Sequence, residues 1–164
     1  MQLKERLHLT YCTNIHPGQD WKSTFKSIKK HVPGIKKEVS SNQSFGLGLR
    51  LSNKASEELE VGTNMSDFKK WLSDNNLYVF TMNGFPYGNF HDERVKDMVH
   101  APDWTTNDRF VYTKRLFRQL SELLPEGLNG GISTSPITYK YWHKSEEETK
   151  KAFEVGAKHM LQVA

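Results

Sequence analysis

The sequence contains one cysteine, and it has no apolar stretch long enough to cross a membrane or to act as a secretory leader. Because Cys12 has no second cysteine to pair with, an intrachain disulfide is excluded and a reducing compartment is indicated. The first six residues are polar and lack the apolar core of a signal peptide. We therefore expect a cytoplasmic protein without membrane insertion, and 164 residues fit a single domain spanning 1–164.

A strong excess of charge of either sign is also missing. The chain has 23 lysine and arginine residues against 19 aspartate and glutamate residues, a net charge of +4. Nucleic-acid binding needs a concentrated basic stripe. The densest basic group is better explained as a solvated helix face, and it comprises Lys26, Lys29, Lys30, Lys36 and Lys37. We therefore expect no nucleic-acid partner. The sequence also has no phosphate-binding glycine loop and no zinc-like Cys/His spacing.

Apolar runs alternate with amphipathic segments along the chain. The apolar runs predict β-strands at 7–12, 45–51, 77–82 and 130–134. The amphipathic segments predict helices at 20–31, 52–59, 66–74 and 106–124, and a last helix from 145 onward. This alternation predicts an α/β fold of four βα units with a parallel sheet.

Local signals refine the predicted helices. Pro33 and Gly34 are expected to break the first helix, with 35–39 continuing as a short second piece. Ser66 is expected to cap the third helix, and Ser145 with Glu148 to form a capping box for the last. The helical spacing in 106–124 places five apolar residues on one side, namely Phe110, Val111, Phe117, Leu120 and Leu124.

Polar residues follow the four predicted strands where each strand ends. In parallel α/β proteins, ligands bind beyond the carboxyl ends of the strands, since those ends meet at one edge of the sheet. The candidates for binding a small polar metabolite are therefore Asn14, His16, Arg50, Asn83, Tyr87, His91, Ser133 and Thr134. The pattern assigns no catalytic residue.

Several polar residues near the strand ends also have a purely structural interpretation. Cys12 is more often a small buried hydrophobe than a nucleophile, and His16 can belong to a simple turn. Arg50 is expected to point inward and to pair with an internal aspartate or with a substrate carboxylate or phosphate. His91 lies in a long aromatic loop and is a candidate for ligand or metal binding.

Four longer segments are distinctive: HLTYCTNIHPG (8–18), FGLGLRLS (45–52), LYVFTMNGFPYG (77–88) and GIST (131–134). Together with His91 and residues 95–96 and 102–104, they resemble the metabolite traffic protein EboE family. That family is placed among the xylose isomerase-like, sugar-phosphate isomerase/epimerase TIM barrels. The resemblance extends over essentially the whole chain.

The resemblance implies the N-terminal half of a TIM (β/α)8 barrel. A closed barrel takes about 250 residues, and the four predicted βα units are half the number it needs. In the wider superfamily most carboxylate ligands of the divalent metal come from strands beyond the fourth. A metal is therefore expected in a full-length parent and none in this fragment. The chain is then a truncated barrel, or one half of a split barrel that needs a complementary partner chain.

The resemblance also implies a function in handling a small polar metabolite, linked to metabolite traffic toward the cell envelope. In one version the parent is a metal-dependent isomerase or epimerase, and this fragment is inactive alone. The alternative is a metabolite-binding or trafficking component without turnover. Open sheet edges and an apolar inner face would favour a homodimer, because the run 77–82 is too apolar to face water.

Overall fold

A computed structural model of the chain describes residues 1–4, 7–88 and 96–164. The described strands are β1 (Gln2–Lys4), β2 (Leu7–His8), β3 (Thr10–Cys12), β4 (Phe45–Arg50), β5 (Leu77–Asn83) and β6 (Gly131–Ser133). Strands β1 and β2 form an antiparallel pair, and the other four form a parallel sheet in the order β3-β4-β5-β6. The predicted α/β fold, with a parallel sheet built from four βα units, is confirmed.

The helices that connect these strands are α1 (Trp21–Val39), α2 (Asn53–Leu59), α3 (Asn64–Asp74), α4 (Asn107–Leu123) and α5 (Glu146–Val163). Single turns of 3-10 helix cover Thr13–Ile15, Lys96–His100 and Lys140–Trp142. Helices α1, α2, α4 and α5 begin at a side chain that accepts a main-chain N–H of the first turn, as N-caps do: Asp20, Ser52, Thr106 and Ser145. No helix within the described residues is long and apolar enough to span a bilayer.

One face of the parallel sheet packs against the helices and forms the core. Side chains alternate between the two faces of a strand, and the register places Leu47 beside Val79, and Leu49 beside Met82 and Ile132, on this face. These side chains share a core with helix residues that include Trp21, Ile28, Leu59, Phe68, Tyr112 and Leu116. The large apolar side chains of β4 and β5 therefore point mainly toward the helices.

The opposite face of the sheet, called here the inner face, is not the uniformly apolar surface that the sequence predicted. The register places on it Thr10, Cys12, Gly46, Gly48, Arg50, Tyr78, Thr81, Asn83, Gly131 and Ser133. Most of these residues are small or polar. Phe80 is an extra residue in β5 where its register against β4 shifts by one. After this shift, Thr81 and Asn83 are in register with Gly48 and Arg50 and lie on the inner face.

The first predicted strand, 7–12, is divided into two. Residues 7–8 turn to pair with β1, and only residues 10–12 join the parallel sheet. His8 packs against Tyr78 and Phe80, with ring centroids 5.8 and 5.0 Å apart, and its Nδ1 lies 2.8 Å from the Tyr78 hydroxyl. The amino-terminal strands therefore cover the aromatic part of the inner face.

Two predicted helix boundaries were wrong. Helix α1 continues through Pro33 and Gly34 to Val39. Pro33 lies on the exposed side, where the carbonyl that loses its helical N–H partner can bond water, while Val32 stays on the buried side. Helix α3 begins two residues before Ser66, whose hydroxyl instead donates to the carbonyl of Thr63.

The buried side of α4 also differs from the prediction. Val111 and Phe117 are 42% and 43% exposed, although Leu120 is buried as predicted. The helix instead buries a mixed set: Arg109, Tyr112, Thr113, Leu116, Gln119, Leu120 and Leu123. Arg109 and Gln119 can lie inside because main-chain carbonyls accept hydrogen bonds from their side chains, as Ser56 does from Gln119 Nε2 at 2.6 Å.

Candidate functional site

Three side chains form a row across the inner face at the carboxyl end of the sheet. Arg50 is in register with Asn83, and Asn83 with Ser133. Ser133 Oγ donates a hydrogen bond to Asn83 Oδ1 at 3.0 Å, and the main-chain N–H of Phe85 donates to the same oxygen at 3.2 Å. We call Arg50, Asn83 and Ser133 the polar row. The expected meeting of strand ends thus brings together three of the predicted site residues.

Within the polar row, Arg50 holds two loops. Its Nη1 donates to the carbonyl of Gly18 at 3.2 Å, and its Nη2 donates to the carbonyl of Gly88. Burial leaves Arg50 only 3% exposed and lowers the pKa of its guanidinium. These hydrogen bonds tie the segment after β3 to the segment after β5. Main-chain carbonyls were not among the partners predicted for Arg50.

The inner face directly below the polar row is nearly bare. Cys12, Gly48, Thr81 and Gly131 are in register there, so two of the four positions have no side chain. A methyl group added at Gly131 would meet no atom within 4 Å, and one at Gly48 would only touch Cys12. Cys12 is exposed, not buried as its residue type suggested. The sheet therefore carries little side-chain bulk next to the polar row.

His16 lies against α1 and is not part of the polar row. His16 stacks on His31 of α1, with ring centroids 4.3 Å apart, and its Nε2 lies 2.7 Å from the hydroxyl of Tyr11. Tyr11 packs against the core on the helix side of the sheet. Asn14 is half-buried in the 3-10 turn at Thr13–Ile15. The segment after β3 thus directs the His16 ring toward α1.

Tyr87 is likewise directed to the helix layer. Its ring packs edge-to-face on Tyr112 at 5.1 Å, and the guanidinium carbon of Arg109 lies 5.7 Å from its centroid. Burial raises the pKa of the Tyr87 hydroxyl, and the nearby Asp108 carboxylate raises it further. The structure therefore does not bring Tyr87 together with the polar row.

Arg109 is a site-supporting residue that sequence reasoning missed. Its three guanidinium nitrogens donate to three main-chain carbonyls, those of Pro102 at 2.8 Å, Gly84 at 2.7 Å and Phe85 at 3.0 Å. The side chain is 0% exposed, and burial lowers its pKa. Its position on α4, one turn before Tyr112 and Thr113, could have indicated that it lies on the buried side of the helix. A charged residue in an amphipathic helix usually lies on the solvent-exposed side, so this position was not recognised.

Four aromatic rings at the same end of the sheet were also missed as a group. They are Phe85, His100, Tyr139 and Trp142, and we call them the aromatic cluster. Thr134, a predicted site residue that follows β6, is not a member of this cluster. Its hydroxyl accepts a hydrogen bond from Trp104 Nε1 at 2.9 Å. The density of aromatic residues between 137 and 143 was the signal that could have indicated the cluster.

His91, the candidate metal ligand, lies outside the described residues. Within the described ranges, no group of three or more His, Cys, Asp or Glu side chains is arranged to hold a metal ion. These residues therefore do not offer a ligand set for the divalent metal that the family resemblance implies. We derive no step through a metal.

The opposite, amino end of the sheet has a cleft of about 470 Å³. It lies between the first strands and the turns that lead into β4 and β6, and it includes His8, Gln43, Ser44, Tyr78 and Leu128. This cleft is a second place where a small molecule could bind, and any binding experiment must separate the two ends.

The sequence matches no family model and no curated protein, and no solved structure matches the chain. We therefore infer function from the geometry of this chain.

Proposed function

We propose that this chain binds a small polar metabolite at the carboxyl end of its parallel sheet. In this proposal it acts as the N-terminal half of a xylose isomerase-like barrel of the EboE type, linked to metabolite traffic toward the cell envelope. The observation that carries the proposal is the polar row, in which Arg50, Asn83 and Ser133 share one register line above a floor of small residues.

The order of the strands supports the barrel part of the proposal. Strands β3, β4, β5 and β6 are neighbours in the sheet in the same order as in the chain. Barrels have this sequential order, whereas doubly wound sheets reverse direction at a switch point. The helix-covered face and the inner face with small and polar residues then correspond to the outside and the inside of a barrel.

The chemistry of the polar row favours binding over turnover by this chain alone. Asn83 and Ser133 offer an amide and a hydroxyl, which form hydrogen bonds but do not move protons as acids or bases near neutral pH. Arg50 is committed to loop carbonyls. A non-enzymatic binding component is therefore the function that we favour. A metal-dependent isomerase or epimerase is the second candidate, and it would need further residues from a complementary barrel half.

The sheet edges bear on the choice of partner. Strands β3 and β6 each pair on one side only within the described residues. Parallel edges recruit further strands, so either a second copy of this chain or a complementary barrel half is the partner in this proposal.

The experiment is a binding screen with the full chain. Aldoses, ketoses, cyclitols and their phosphate esters are tested by isothermal titration calorimetry. We expect at least one to bind, and we expect the double variant Asn83→Ala/Ser133→Ala to weaken binding by about tenfold, as loss of one or two hydrogen bonds predicts. Ser73→Ala, at an exposed position on α3, is the matched control. Unchanged affinity in the double variant, or no binding to any compound, would contradict the proposed function.

A further inference from the structure

A groove of about 590 Å³ lies between α1 and the turn that joins α2 to α3. Lys22, Phe25, Lys26 and Lys29 line it from α1, because residues three, four and seven positions apart lie on one side of a helix. We call this feature the α1 groove, and the residues that define it here are Trp21, Lys22, Phe25, Lys26, Lys29 and Val61. The α1 groove shares no residue with the polar row or with the cleft at the amino end of the sheet.

The floor of the α1 groove is apolar and aromatic. Trp21 and Phe25 stack with ring centroids 5.0 Å apart, and Phe25 also packs edge to face on Phe68 and on Trp71, each at 5.6 Å. Val61, which lines the groove from the turn, is 64% exposed. The rings that support the floor are thus fixed by their neighbours, while part of its apolar surface is open to water. Exposed apolar surface of this kind is typical of interaction sites.

Three exposed lysines, Lys22, Lys26 and Lys29, stand along one wall of the α1 groove. Within the part of the chain that the structure describes, none of them forms an ion pair. Lys29 Nζ lies 4.3 Å from the centroid of the Phe25 ring, at a distance typical of cation–π contacts. Positive charge and apolar surface are therefore adjacent in the groove, which the spacing of the lysines alone does not show.

Glu58 is the one acidic side chain among the described residues that line the α1 groove. Its Oε2 accepts a hydrogen bond from the main-chain N–H of Trp21 at 2.8 Å, and its Oε1 lies 3.8 Å from Lys54 Nζ on the same helix. Three lysines against one glutamate leave the lining with a net charge of +2. Because complementary charge guides the choice of partner, the groove favours a partner that is negatively charged.

We propose that the α1 groove is a docking site for an acidic peptide segment of a partner protein that carries one large apolar side chain among its carboxylates. The apolar side chain packs on Phe25 and Val61, and the carboxylates pair with the lysines of the wall. A narrow peptide fits this surface because Trp21 is 4% exposed and Phe25 is half-buried, so the floor is recessed between helices. A flat lipid surface or a nucleic-acid backbone contacts the lysines without reaching that floor.

The test measures binding to the full chain by fluorescence anisotropy at low ionic strength, where charge attraction is least screened. The probes are labelled peptides of about ten residues, rich in aspartate and glutamate around one tryptophan, phenylalanine or leucine. Each peptide has a counterpart with serine at the apolar position. Vesicles of phosphatidylserine and phosphatidylcholine, and a labelled DNA oligonucleotide, are the probes for the two other classes of anionic partner.

Two double variants separate a local contact from general attraction between a basic protein and an acidic peptide. Lys22→Glu/Lys26→Glu reverses two charges in the wall of the groove. Lys30→Glu/Lys37→Glu is the matched control, because it reverses two exposed charges on the same helix at positions that do not line the groove. Both variants have the same net charge, and circular dichroism with thermal melting establishes that both are folded.

We expect at least one acidic peptide to bind, and we expect the groove variant to weaken it by about tenfold more than the control variant does. Val61→Ser should weaken the same peptide by about threefold and leave its serine counterpart nearly unchanged. Equal losses in the two double variants would overturn the docking site, as would equal affinity of every peptide and its serine counterpart. The docking site is also overturned if no acidic peptide binds, whether or not the vesicles or the oligonucleotide bind.

Discussion

Arg109 Nη1 donates a hydrogen bond to the carbonyl oxygen of Gly84 at 2.7 Å. This bond connects α4 to the first residue after β5, directly beside Asn83 of the polar row. Because the carbonyls of Phe85 and Pro102 accept from the same guanidinium, one helix residue sets the course of the loop that carries the candidate site. The geometry of the site thus depends on a side chain on the helix layer.

Replacing Arg109 by methionine should destabilise the protein strongly. The variant keeps much of the side-chain volume but leaves three carbonyls without their donors, one of them in a buried bond and two in part-buried bonds, and unsatisfied buried groups cost about 1–3 kcal/mol each. We expect the free energy of unfolding, measured by urea denaturation, to fall by roughly 3 kcal/mol or more.

Arg118→Met on the same helix is the matched control for this prediction. Arg118 is exposed and pairs with Glu60 at 2.6 Å, and surface ion pairs contribute about 0–1 kcal/mol. If Arg109→Met and Arg118→Met lowered the unfolding free energy equally, the holding role assigned to Arg109 would be wrong.

Two glycines near the polar row should respond differently to alanine. A Cβ at Gly84 would lie 2.9 Å from Ile132 Cγ2, Leu116 Cδ1 and the Ser133 carbonyl oxygen, whereas a Cβ at Gly131 has no neighbour within 4 Å. Overpacking costs about 1–3 kcal/mol, so Gly84→Ala should lower the thermal midpoint clearly and Gly131→Ala should change it little. Calorimetry on both variants checks this, and the reverse order of stability would contradict the described packing.

The buried hydroxyl of Tyr112 should make stability depend on pH in the alkaline range. This hydroxyl donates to the carbonyl of Leu51 at 2.6 Å, and burial raises its pKa to about 12 from an ordinary value of 10.0. In the unfolded chain the hydroxyl ionises at the lower value, so above that pH the unfolded state binds fewer protons than the folded state. The stabilising contribution is complete below the ordinary value and is lost as pH rises through about 12.

The measurement for Tyr112 is the free energy of unfolding of wild type and Tyr112→Phe at several pH values from 9 to 12. The wild type should lose stability more steeply, by up to about 1.4 kcal/mol for each pH unit above the ordinary tyrosine pKa. Comparing the two proteins removes the contribution of other tyrosines. Parallel curves would show that Tyr112 titrates alike in the folded and unfolded states.

Much of the fold could be predicted because local signals and the global fold agree. Ser145 caps the last helix where the sequence placed the cap, and the run that begins at Leu77 is strand β5, in the interior of the parallel sheet. The exceptions are residues whose environment is set by distant partners. Helical spacing does not show that the side chains of Arg109 and Gln119 find hydrogen-bond acceptors inside the protein, since those acceptors lie at Gly84 and Ser56.

The candidate site was predictable in position but not in orientation. The rule that parallel strands meet at their carboxyl ends correctly brought Arg50, Asn83 and Ser133 together. It could not show that His16 turns to stack on His31, or that Tyr87 packs against α4. A residue two or more positions beyond a strand follows its loop, and loop paths depend on tertiary contacts.

Association in solution is a further prediction. The edges β3 and β6, and exposed apolar side chains such as Phe153 and Leu161 on α5, favour contact with a second chain. We expect light scattering at low micromolar concentration to give a homodimer or larger species. A stable monomer of 19.0 kDa with cooperative unfolding would contradict this expectation.

If a polar metabolite binds at the carboxyl end of the sheet, amide chemical-shift mapping with the strongest compound from the screen will locate it there. We expect shifts at the amides of Gly84 and Phe85, which adjoin Asn83, and we expect Asn83→Ala to abolish them. Shifts confined to Gln43 and Ser44, beside the cleft at the amino end, would place the ligand at the wrong end of the sheet.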